Sequence, residues 1–141
     1  MDSNDLKIGI NPIILNEKNE ILLGRRLNKA GYGTYGLPGG HLKINETIEY
    51  SVVREIFEET GLIVKPEDVE VINFARTQDY LQIGVLIKKY EGIPVIGEPN
   101  KCDDLKFFDL QKLPEIYYNN KVNIDLYLQN KFYNKDINII E

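Results

Sequence analysis

The sequence predicts an α/β domain: a mixed β-sheet with helices packed on it. Three observations predict it. Short runs rich in Ile, Val and Leu recur between turn residues. One segment, Thr47 to Thr60, repeats apolar residues at helical spacing. The order of these segments is β-β-β-α-β-β-α. The 141 residues suit a single domain spanning 1–141 with a core of its own. No internal repeat or Ser/Gly linker divides it.

Leu6 to Asn16, "LKIGINPIILN", reads as a strand, and Pro12 points to an edge position or a bulge. "NEKNE" turns the chain into a second strand, Glu20 to Arg26, making a hairpin. The glycine-rich "LNKAGYGTYG" reads as a surface loop. "YGLPGGHL" reads as a short, bent strand leading to the helix. That helix has Thr47 as its cap, Glu49 in its first turn and Gly61 as its stop. Ile48, Val52 and Ile56 recur every four residues, as do Val53 and Phe57. Val69 to Tyr90 gives one or two strands. "DDLKFFDLQKLP" alternates as a strand, and Val122 to Phe132 closes the chain as a helix.

A net charge of -5 argues against a broad nucleic-acid surface, which needs clustered Lys and Arg. It leaves room for a small phosphorylated ligand held through metal ions. One cysteine, Cys102, excludes an intrachain disulfide and points to a reducing compartment. The N-terminus opens acidic, without the apolar run of a signal peptide. No apolar run approaches the ~20 residues that span a bilayer. The expectation is a soluble, cytoplasmic protein without a membrane partner; a homodimer is compatible with it.

Glu55, Glu58 and Glu59 sit at i, i+3 and i+4, so a helix projects them together. Crowded like charges are unfavourable, and a divalent cation removes that cost; Mg²⁺ prefers such oxygen ligands. Arg54 on the flank can hold one carboxylate. An acidic run is ordinarily a solvated face, so the frame around it decides. Gly40 is followed after five residues by Glu46, and after seven more by Arg54-Glu55-Ile56-x-Glu58-Glu59-x-Gly61-Leu62. At roughly 6% usage per residue type, seven fixed positions match by chance on the order of once in 10⁸ starts or less often.

This frame resembles the Nudix box of the Nudix hydrolase superfamily at every defining position from Gly40 to Leu62. "ILLGRR" and "GTYGLPGGHL" resemble the segments before the box in MutT-like nucleotide pyrophosphohydrolases. "EPNKCDDLKFFDLQKLP" resembles a later MutT-like segment, so the likeness covers roughly Ile8 to Pro114. There are departures. Tyr35, Leu105 and Phe107 stand where that subgroup usually has Trp, and Asn45 replaces the usual glycine before Glu46. Asn tolerates left-handed dihedrals, so the turn survives the replacement.

The resemblance implies a Nudix-type α/β/α sandwich and a Mg²⁺-dependent hydrolase, with Mn²⁺ as a substitute. It implies a metal-binding set of the Gly39 carbonyl, Glu55, Glu58 and Glu59. Glu98 in "GEPNK" is the candidate for a further acid, with Asp103 behind it. Glu46 supports the site, Arg54 orients a glutamate, and Glu55 is named as the general base.

Arg25 and Arg26 end a strand facing the site, and one of them clamps phosphate. Tyr32 can stack on a base, Tyr35 reads as core, and His41 can contact phosphate or be hydrogen-bonded structure. Cys102 reads as packing. The substrate expected is a nucleoside diphosphate linked to another group, first a triphosphate cut to monophosphate and pyrophosphate. A nucleotide sugar or a dinucleotide is the alternative. A non-catalytic module of the same fold is the alternative of another class.

Overall fold

The structure is a computed structural model describing residues 5–134. Positions 1–4 and 135–141 of the predicted domain lie outside the described residues. The strands are β1 (Lys7–Ile14), β2 (Glu20–Arg26), β3 (Tyr35–Gly36), β4 (Gly40–His41), β5 (Glu70–Thr77), β6 (Tyr80–Ile87) and β7 (Cys102–Asp109). The helices are α1 (Ile48–Thr60) and α2 (Tyr118–Leu128). The α/β class and the mixed sheet are as the sequence predicts, but the strands divide into two sheets. One is mixed, in the order β4-β1-β6-β5; the other is antiparallel, β3-β2-β7.

The expected β1–β2 hairpin is therefore corrected. Only Leu15 and Ile21 bridge across the turn, after which the strands enter different sheets. β1 instead runs parallel to β6 over its whole length, Lys7 opposite Tyr80 to Ile14 opposite Ile87. Pro12 lies in this inner strand, yet β4 pairs only with Gly9 and Ile10, so that side of β1 is free of β4 at Pro12. The single bent strand expected at "YGLPGGHL" is two two-residue strands, β3 in one sheet and β4 in the other. Leu37, Pro38 and Gly39 between them let the chain cross over.

Period-2 alternation sorts β1 between two cores. Ile10 and Ile14 pack with Val52 and Ile56 of α1 and with Ile83, Val85 and Ile87. Ile13 packs with Leu23 and with Ile124 of α2. The helices thus cover opposite faces, and Phe57, at 58% exposure, belongs to neither core. α2 begins four residues before the expected Val122 and ends before Phe132. Asn119 and Asn120 are poor helix formers, but buried partners satisfy the Asn120 amide there.

β5 is the outer strand of its sheet. Phe74 N–H donates to Phe132 O at 2.8 Å, and Phe74 O accepts from Asn134 N–H at 3.2 Å, a short parallel addition along that edge.

Candidate active site

Helix α1 carries the acidic face. Thr47 Oγ1 accepts from Tyr50 N–H at 3.1 Å, and Gly61, at φ 74°, ends the helix with its N–H on Phe57 O. Val52 and Ile56 anchor one face in the core, which turns Glu55, Glu58 and Glu59 toward a cavity of about 550 Å³. The cavity lies between the two sheets, lined by Gly9 and Gln82 on one side and by Arg26 and Leu105 on the other.

Arg54 organises the acids. Its guanidinium grips Glu46 twice, at 2.6 and 3.0 Å, and reaches Glu55 at 2.8 Å and Glu58 at 3.1 Å. These bonds raise the Arg54 pKa and hold Glu46 down at about 2. The turn leading there uses Asn45 at φ 71°, the left-handed conformation its residue type tolerates. Glu59 makes no ion pair among the described residues. Burial, then a hydrogen bond with Glu55 and the charges of Glu55 and Glu98, push it far above the ordinary carboxylate range; the Gly39 backbone works the other way.

Close approach explains the glycines here. A Cβ on Gly40 would stand 2.6 Å from the Glu55 carboxyl, and one on Gly39 would stand 2.1 Å from Ile10 O. A third contact brings in Glu98. Val95 N–H and Gly97 N–H donate to Thr60 O at 2.9 Å and Glu59 O at 3.0 Å, capping the last turn of α1. Glu98 follows directly and lines the cavity.

Among the described residues, no three His, Cys, Asp or Glu side chains stand in a ready coordination arrangement. Arg54 holds Glu46, Glu55 and Glu58 instead. In donor chemistry the acids fit a divalent cation: Glu55, Glu58, Glu59 and Glu98 bring four carboxyls, of which Arg54 pairs with two and Lys101 with Glu98.

The NUDIX domain family model matches residues 5–128. The chain belongs to the Nudix family. Over 120 residues it is 38% identical to the ADP-ribose pyrophosphatase of Methanocaldococcus jannaschii, covering 82% of this chain and 70% of that protein. The crystal structure of the MutT NUDIX hydrolase of Burkholderia pseudomallei superposes with a TM-score of 0.79 at 25% identity, covering 86% of this chain and 97% of that one. The NUDIX domain of Shewanella oneidensis NrtR, solved with ADP ribose, superposes at 0.68 with 19% identity over 89% and 88% of the two chains, a likeness of fold. This chain is a Nudix hydrolase, and Nudix hydrolases generally use divalent cations. Among the described residues, no helix is long and apolar enough to cross a membrane.

The Nudix cavity gathers most, not all, of the residues picked from sequence. Gly39, His41, Arg54, Glu55, Glu58, Glu59, Glu98 and Arg26 line it, with Glu46 behind Arg54. Arg26 is half-buried, and burial lowers its pKa. Its guanidinium lies 4.0 Å from the Tyr117 ring centroid, and among the described residues it makes no ion pair.

Two expected substrate contacts do not line the cavity. Arg25 alternates to the other side of β2 and pairs with Asp103 at 2.7 Å in solvent. That also takes Asp103 away from the acids. Tyr32 is 69% exposed on its loop. Tyr35 packs edge-on against Phe108, as a core residue should. Cys102 reaches the wall, and burial pushes its thiol up, away from nucleophilic use.

The lining residues not singled out in the sequence include Tyr80, Tyr117, Asn119 and Asn120. Tyr80 hydrogen-bonds His41 Nε2 at 3.0 Å. Asn119 donates to Tyr117 OH at 3.0 Å, while its buried Oδ1 has no partner among the described residues. The polar cluster "YYNN" after Leu113-Pro114 was the available signal.

Proposed function

We propose that this Nudix hydrolase cleaves the diphosphate bridge of a nucleoside diphosphate linked to a sugar, with Mg²⁺ or Mn²⁺ as cofactor. The observation that carries this is a cavity with two unlike sets of lining groups: four carboxyls, and a wall of amides and tyrosines with Arg26 over the Tyr117 ring. The 38% identical ADP-ribose pyrophosphatase supports the sugar-linked substrate over the triphosphate that the sequence put first. The triphosphate remains the second reading, favoured by the MutT structure at TM-score 0.79.

In this reading Glu55, Glu58, Glu59, Glu98 and the Gly39 main chain hold the cation. A bound divalent cation lowers the pKa of water and screens the phosphates. Arg54 keeps Glu46 ionised and fixes one oxygen of Glu55, leaving Glu55 placed to take the proton from the attacking water. Arg26, whose Nε donates to Ala30 O at 3.0 Å and which makes no ion pair among the described residues, turns its remaining N–H groups to a phosphate oxygen. His41 holds the Tyr80 hydroxyl at the rim, where it meets the sugar.

The test is product analysis with Mg²⁺ and with Mn²⁺ across ADP-ribose, other nucleotide sugars, dinucleotides and plain and oxidised triphosphates. AMP and ribose 5-phosphate from ADP-ribose are expected. Pyrophosphate from triphosphates alone would establish the second reading, and no turnover of any substrate would leave a binding module.

A further inference from the structure

Four asparagine side chains form one head-to-tail chain through the interior. Leu37 N–H donates to Asn120 Oδ1 at 3.0 Å, and Asn120 Nδ2 donates to Asn11 Oδ1 at 3.2 Å. Asn11 Nδ2 donates to Asn123 Oδ1 at 2.7 Å, and Asn123 Nδ2 to Asn73 Oδ1 at 2.7 Å. Asn73 Nδ2 closes the far end on the Asn123 backbone carbonyl at 3.1 Å. Every link points the same way, and backbone groups at both ends forbid a flip of any amide.

All four amides are buried: Asn11 5%, Asn73 0%, Asn120 8% and Asn123 0% exposed. The surrounding sequence makes room for them. A Cβ on Gly36 would stand 2.6 Å from Asn120 Oδ1, and one on Gly84 would stand 2.1 Å from Asn73 Oδ1. Aligned amides in a dry interior polarise one another, so a break at one link weakens the rest.

The chain starts two residues before Gly39. Leu37 leads through Pro38, whose ring fixes φ, into the Gly39–Gly40 turn that packs against Ile10 O and the Glu55 carboxyl. Without Asn120, nothing else among the described bonds holds the Leu37 N–H. Asn73 and Asn123 do not line the cavity, yet Asn123 Oδ1 is the nearest acceptor of Asn11 Nδ2, at 2.7 Å against 2.9 Å for Gln82 Oε1 and 3.3 Å for Asn119 O, so they help to fix Asn11, and through it Asn120 and Leu37.

We propose that Asn123 and Asn73 are positioning residues: through the amide chain they set the Gly39–Gly40 turn against the carboxylates, and so the affinity of the site for its cation. This rests on the function proposed above, and its test has one readout independent of it. The plain alternative is that the asparagines merely hold α2 on the sheet.

The variant is Asn123→Leu, of similar size, with Val122→Ala as a control that loosens the same helix without touching the chain. Amide exchange at Leu37 is compared with exchange at Val85 in the core. In Asn123→Leu, Leu37 should exchange faster by on the order of tenfold beyond any change at Val85. Mn²⁺ affinity, titrated without substrate, should fall roughly tenfold, as expected when the support behind a ligand is lost, and kcat should fall more than KM rises. Val122→Ala should speed Leu37 and Val85 alike and keep the parental Mn²⁺ affinity.

Equal acceleration at both amides in Asn123→Leu, or an unchanged Mn²⁺ affinity, would overturn the proposal. Should that variant not fold, Asn73→Ser shortens the chain at its far end and is read the same way. A parent that binds no Mn²⁺ and hydrolyses nothing refutes the functional reading, while Leu37 exchange still decides whether the chain positions the turn.

Discussion

At one end of the cavity Glu55, Glu58, Glu59 and Glu98 crowd together, with Arg54 on Glu55 and Glu58 and Lys101 3.5 Å from Glu98. At the other, Asn11, Asn120 and Gln82 line the wall and are held by uncharged amide hydrogen bonds, with Asn123 behind them. The first end is left with an excess of carboxyls; the second is held by amide hydrogen bonds, with Asn119 Oδ1 alone left without a partner among its described amides. An excess of carboxyls is what a cation answers. Amide hydrogen bonding gives fixed shape, which suits discrimination between neutral groups.

The largest test of that contrast removes charge from the acidic end. Glu58→Gln and Glu59→Gln keep size and lose a ligand's charge, so kcat should fall by roughly 10² or more in each. Melting temperature without metal should hold or rise in Glu58→Gln, because crowded charge has been relieved, and should hold in Glu59→Gln, where the buried carboxyl of the parent already resists ionisation. Near-parental turnover in both would falsify the assignment of these residues to a cation.

A smaller effect belongs between the two ends. Arg26→Ala should raise KM about tenfold, the loss expected for a charge-assisted hydrogen bond. Arg25→Ala, which only frees an exposed pair with Asp103, should leave KM near the parent's. Equal values for the two variants would blur the distinction between the faces of β2.

The smallest effect concerns acid. Glu46 is held at about 2 in the fold, against 4.5 for a free glutamate. Its pairing with Arg54 therefore stabilises the fold fully above pH 4.5, and that contribution is lost as pH falls toward about 2. Melting curves of Glu46→Gln should run flatter than the parent's across that window. Parallel curves would remove Glu46 as the partner that Arg54 sustains.

What the sequence disclosed follows the same divide. The acidic end is almost local: Gly39 to Leu62 is one turn and one helix, and helical spacing alone brings its carboxylates together. Only Glu98 arrives from afar, carried by main-chain bonds from Val95 and Gly97 to the end of α1. The amide end is assembled from β1, β5, β6 and α2, and single asparagines on different elements show no spacing rule. Tyr80 and Tyr117 were hidden for the same reason. Alternation could say that Arg25 and Arg26 face opposite ways, but not which of them faces the cavity. The hairpin was misjudged because a turn specifies that the chain reverses, not that both strands join one sheet.

The pairing of Phe132 to Asn134 with β5 has a further consequence. An outer strand offers bare N–H and C=O groups to any other extended chain, and β5 is eight residues long, enough to template such a contact. Occupying the Phe74 amide and carbonyl from within the same chain blocks that template near its middle. Cutting the protein short after Leu128 would leave both groups open. The danger in such a truncation is aggregation rather than a weakened core, since Phe132 and Tyr133 are themselves largely exposed.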